Sequence, residues 1–114
     1  VASACALLGA ALPVEDPALQ AAIGTRVPMV GYFPSGTGLL AWLLARQLRP
    51  SSNAYLMRNH GVLCCGRSLE QAVAAVDALE QVARDHLARR IERRALHDAG
   101  LAAPLRAILT ALEA

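Results

Sequence analysis

From position 53 to position 66 the chain reads N-A-Y-L-M-R-N-H-G-V-L-C-C-G, and the fold turns on this stretch. Residues 54–57 are a short apolar run, Arg58-Asn59-His60-Gly61 a polar knot, and residues 62–65 a second apolar run that stops at Gly66. Runs this short, partly β-branched or aromatic, read as two strands, or as one strand with a bend. Gly61 stands where the backbone must turn or admit a close neighbour, as a residue without Cβ allows. The knot therefore sets the imidazole of His60 at a strand end, between an amide side chain and a glycine. That placement suits a metal ligand.

Downstream, Ser68 with Gln71 three residues on forms a capping box, and Glu70 adds negative charge to the first turn. The row Leu69, Ala72/Val73, Val76, Leu79, Val82/Ala83, Leu87, Ile91 then repeats with helical period to about residue 95. Asp98-Ala99-Gly100 breaks that helix, and a last one is expected over residues 104–112. Upstream, residues 50–53 are a loop, and residues 39–48 a helix entered through Pro34-Ser35-Gly36-Thr37-Gly38. Such an entrance leaves backbone N–H groups free for an anion; a plain N-cap by Ser35 or Thr37 is the stronger reading. Trp42 in that helix fits the core, or the lining of an interface. Residues 26–33 read as an extended strand, with Pro28 and Gly31 pointing to an edge or to irregular pairing. Residues 17–23 suit a helix capped by Asp16, begun by Pro17 and closed at Gly24. Residues 1–12 fit a short buried helix ended by Pro13.

Composition sets the outer bounds. A chain of 114 residues makes one domain with a real core. It is 55% apolar, too rich for disorder, and has no unbroken run of membrane-spanning length. The charge of +2 is small, and all eleven basic residues are arginine. Three cysteines without C-x-x-C spacing disfavour a zinc knuckle or a disulfide framework, and a cytoplasmic, reducing setting is expected. The densest charge, Arg84, Arg89, Arg90, Arg93 and Arg94, is interleaved with Asp85 and Glu92 and lacks aromatics. It reads as a solvated face or a subunit contact, so neither nucleic acid nor membrane is expected as a partner.

Among ionisable residues His60 leads. His86 beside the apolar row reads as a partly buried spacer, and His97 as solvated. Glu80, next to Leu79, reads as a half-exposed helix residue or as a buried carboxylate orienting a neighbour. One histidine does not make a zinc site, which takes about three protein ligands when catalytic.

Taken together, V-P-M-V-G-Y-F-P-S-G-T at 27–37, L-M-R-N-H-G-V-L-C-C-G-R-S-L-E-Q-A at 56–72 and L-E-Q-V-A at 79–83 resemble the C-terminal half of the class II aldolase/adducin family. The resemblance covers about residues 1–95. It implies an α/β fold, a partial three-layer α/β/α sandwich with a mainly antiparallel sheet, in a single domain over residues 1–114. It also implies a homo-oligomer, commonly a tetramer. By the same resemblance His60 is one of three histidines holding a divalent metal, usually zinc. The chemistry implied is carbon–carbon cleavage of a small sugar phosphate through a metal-stabilised enediolate. The other two histidines, an upstream His-x-His, and the acid/base glutamate have no counterpart in these 114 residues. The expectation is therefore a truncated domain, inactive by itself. The alternatives are an epimerase, a decarboxylase, or a non-catalytic adducin-like interaction module.

Overall fold

A hairpin built from the opening stretch lies at the centre of the chain, seen in a computed structural model that describes residues 1–32, 34 and 36–114. Its strands, β4 (Ala54–Met57) and β5 (Gly61–Cys64), pair antiparallel from Ala54↔Cys64 to Met57↔Gly61. The two-strand reading of the sequence holds. Before them in the chain come α1 (Ala2–Leu8), β1 (Leu12–Pro13), α2 (Pro17–Ile23), β2 (Arg26–Val27), β3 (Met29–Val30) and α3 (Gly38–Gln47). After them come α4 (Leu69–His97) and α5 (Ala102–Glu113).

The expected strand over residues 26–33 is two short pieces. Pro28 has no N–H to give a ladder, and the chain changes partner there. β2 pairs antiparallel with β1, whereas β3 runs parallel to β4, with the Leu56 N–H on the Pro28 carbonyl at 2.9 Å. The result is a mixed α/β arrangement of one two-stranded and one three-stranded sheet, the latter in the order β3-β4-β5. Phe33, the end of the expected strand, and Ser35, one of the two expected caps, lie outside the described residues.

Strand alternation sorts the hairpin's side chains. Ala54 and Leu56 enter the main core with Leu12, Val14, Ile23, Val27 and Leu79, and Val62 and Cys64 pack against it. Each such Leu or Ile contributes about 1.5–3 kcal/mol relative to exposure. Tyr55 and Val30, equally buried, belong to the opposite face. The Tyr55 hydroxyl accepts from the Arg49 N–H at 2.7 Å and donates to the Ser52 carbonyl at 3.1 Å. A phenol buried with both hydrogen-bonding roles met thus pins the loop after α3.

Helix ends follow the sequence closely. Asp16 accepts from the Ala18 N–H at 2.8 Å, Pro17 opens α2, and Gly24 closes it at φ 93°. Ser68 accepts from the Gln71 N–H at 3.2 Å. The Gln71 side chain reaches back to the Arg67 N–H at 3.0 Å, one residue before the cap. Thr37 is the N-cap of α3, yet its hydroxyl donates to the Pro34 carbonyl and caps no amide.

Three expectations are corrected. The apolar row of α4 is buried only in its second half: Leu69, Val73 and Val76 are exposed, and Ala75 and Ala78 take their place in the core. These alanines belong to the same buried cluster as Ala2, Cys5 and Ala6 of α1, and small side chains let helix backbones approach closely. Trp42 is 54% exposed, and the Arg46 guanidinium stands 4.7 Å from its ring centroid. The helix expected over residues 1–12 ends at Leu8, leaving Leu12 to β1. Among the described residues no helix is long and apolar enough to cross a membrane.

Candidate functional site

Arg58, Asn59 and His60 are the whole connection between β4 and β5. The His60 N–H closes it on the Met57 carbonyl at 3.0 Å. Asn59 takes φ 56°, the left-handed conformation that asparagine tolerates better than most side chains. Gly61 follows at φ 152°. A Cβ there would meet nothing within 4 Å, so glycine serves the turn and no close approach. This backbone carries His60 at the hairpin tip with its side chain exposed.

Around the tip the chemistry is cationic. The Arg58 N–H donates to the Val30 carbonyl at 3.0 Å, tying the turn to β3. Its guanidinium lies against Gly9, the left-handed residue (φ 72°) that ends α1: a Cβ on Gly9 would stand 3.6 Å from Arg58 Cζ and Nε. A positive group at a helix C-terminus is favoured by the helix dipole. The arginine immediately before N-H-G was the only sequence signal for this contact, and periodicity gave no weight to it.

At the other end of α1, Glu80 accepts from the Ala2 N–H at 3.0 Å and from the Val1 nitrogen at 2.8 Å. Burial would raise its carboxyl. In the 114-residue chain the hydrogen bonds from the terminal ammonium of Val1 and from Ala2, with the charges of that ammonium and of Arg84, outweigh that and hold it below the ordinary carboxylate value. Glu80 is the half-exposed helix residue of the first reading, and its carboxylate nonetheless holds the start of α1, as the second expected of a buried one.

The other candidates lie elsewhere. Half-buried His86 sits on α4 in a cleft of about 450 Å³ lined also by Pro13, Glu15, Arg89, Glu92 and Arg93. Burial, then the charges of Arg90, Arg89 and Arg93, push its imidazole below the ordinary value. His97 is exposed at the end of α4. The arginine run is partly engaged within the chain: Arg84 Nη1 donates to the Leu112 carbonyl at 2.7 Å, Arg89 lies 3.9 Å from Glu15, and Arg94 lies 3.7 Å from Asp98. Cys5 is buried, while Cys64 and Cys65 are half-buried; burial raises Cys5 and Cys64 above the ordinary thiol value.

The structure does not bring His60 together with His86 or His97. Among the described residues no three His, Cys, Asp or Glu side chains are grouped to hold a metal ion. His60 offers one donor, so these residues by themselves do not fit a metal centre.

The family model for the Class II Aldolase and Adducin N-terminal domain matches residues 1–87. Two curated relatives, each named 3-oxo-tetronate 4-phosphate decarboxylase, come from Escherichia coli O6:H1 and Escherichia coli strain K12. Both are 38% identical over 58 residues, which is 51% of this chain. The match spans 27% of the length of those relatives. No solved structure matches the chain.

Proposed function

Since the chain belongs to the class II aldolase and adducin family, we propose that it is the His60-bearing portion of a divalent-metal-dependent lyase for small phosphorylated sugars or sugar acids. The observation that carries this is the turn: within the family-matched residues, N-H-G presents an exposed histidine at the tip of a hairpin whose backbone geometry is fully specified. Neutral imidazole is a good zinc ligand, and the remaining donors would come from outside these residues. We assign to the complete protein the three-layer sandwich with a mainly antiparallel sheet, zinc as the metal, a homotetramer and a cytoplasmic location. The metal would supply Lewis acidity. What this chain contributes is a fixed histidine beside the cationic Arg58, in surroundings suited to an anionic substrate.

The relatives are named for decarboxylation, which we take as the leading reaction; loss of carbon dioxide from a 3-oxo acid and retro-aldol cleavage both leave electrons on an oxygen-stabilised carbon, so one site chemistry serves either. The test is to express the longest gene product containing these residues, measure zinc by elemental analysis, and assay carbon dioxide and aldehyde release from phosphorylated 3-oxo acids and ketoses. About one zinc per chain is expected, lost in His60→Ala with the circular dichroism spectrum unchanged. Negligible zinc in a verified full-length product would sink the lyase reading and leave the adducin-like one.

A further inference from the structure

We propose that Arg58 is the positioning residue for His60, and that α1 is the strut through which the hairpin tip is braced against α4. A three-residue turn with an exposed tip has few contacts of its own and belongs, by ordinary expectation, to the easily opened parts of a protein. Here the turn carries its own brace. The Arg58 main chain is held to Val30 on β3, and its guanidinium reaches over the Gly9 end of α1.

The brace is useful only if α1 is itself fixed, and it is. Ala2, Cys5 and Ala6 are buried against the core, and Glu80 of α4 receives the N–H of Ala2. A carboxylate thus stands at the start of α1 and a guanidinium at its end, each with the sign the helix dipole favours. Both come from outside the helix, one from α4 and one from the hairpin. The path Glu80, α1, Arg58 connects the long helix to the backbone of His60 through contacts that are all in place at once. Glycine at position 9 serves the left-handed φ of 72°, and a Cβ on it would only just touch the guanidinium.

The bearing of this on catalysis rests on the assignment of His60 above; the coupling does not. It is tested by amide hydrogen exchange on the full gene product. Arg58→Ala is expected to speed exchange of the His60 amide about two- to fivefold, the size of a charge effect at a helix end. Exchange at Leu79 should stay the same, Arg58→Lys should restore most of the protection, and Arg67→Ala should change nothing at His60. Unchanged exchange at His60 in Arg58→Ala, or an equal rise at His60 and Leu79, overturns the proposal. Should Arg58→Ala fail to fold, Arg58→Gln, which keeps the stem and removes the charge, is decided by the same two results. Retention of zinc by His60→Ala would defeat the functional assignment and leave the brace standing; unchanged exchange defeats the brace and leaves the assignment.

Discussion

Glu80 Oε1 accepts the Ala2 N–H at 3.0 Å across 78 positions of sequence, so the middle of α4 caps the first turn of α1. Replacement by Gln keeps an acceptor, and replacement by Ala removes it. Glu80→Ala is expected to cost roughly 0.5–1 kcal/mol, toward the low end because the carboxylate is more than a third exposed. Urea titration checks it. The folded-state carboxyl lies below its ordinary value of 4.5, so its contribution is present above that pH and is lost as pH falls through the folded value. In the 114-residue chain, where Val1 carries a terminal charge, wild type and Glu80→Ala should therefore converge in stability as pH falls below 4.5.

Gly24 is held at φ 93°, and a Cβ built on it would overlap the Ser51 carbonyl oxygen. That oxygen is backbone and has no rotamer to change. Gly24→Ala combines strain with overpacking and is expected to lose about 2–4 kcal/mol. A drop in the thermal midpoint measured by circular dichroism is the check.

For His86 the sign is the same as for Glu80, in a higher pH window. Its folded imidazole lies below the ordinary 6.5, because burial and then Arg90, Arg89 and Arg93 disfavour the charged ring. As pH falls through 6.5 the unfolded chain takes up a proton that the folded chain refuses, so stability drops. The urea midpoint of wild type should fall between pH 7.5 and pH 5.5 by more than that of His86→Gln.

Trp42 is the one tryptophan, which makes the exposure of α3 easy to read. Emission typical of water-exposed indole is expected for the 114-residue chain, and Trp42→Ala should cost less than about 1 kcal/mol, mostly the Arg46 contact. Blue-shifted emission in the full gene product would show that another surface covers α3 there.

What the sequence made legible were the local rules. Asp16-Pro17 with Gly24, Ser68 with Gln71, and the N-H-G turn each act through neighbours a few residues away, and each stands where those neighbours put it. The face of α4 was a different matter. Leu69, Val73 and Val76 keep the helical period as well as Ala75 and Ala78 do, and which row is buried depends on where α1 and α2 lie. Hydrophobicity favoured the larger side chains, while the alanines won the core. The candidate site divides likewise: the exposed tip with His60 could be read from the turn residues, but the contacts of Arg58 with Gly9 and of Glu80 with Ala2 join positions far apart in sequence.

The parallel pairing of β3 with β4 has a kinetic consequence. Met29 meets Leu56 only after α3 and its loops have been traversed, whereas the hairpin closes over three residues. Hairpins form in about 1–10 μs, and contacts between sequence-distant segments come later because the entropy of closing the intervening chain must be met first. On refolding, the hairpin tip is therefore shaped early, and the Val30 carbonyl that anchors it arrives with the slower, rate-setting event.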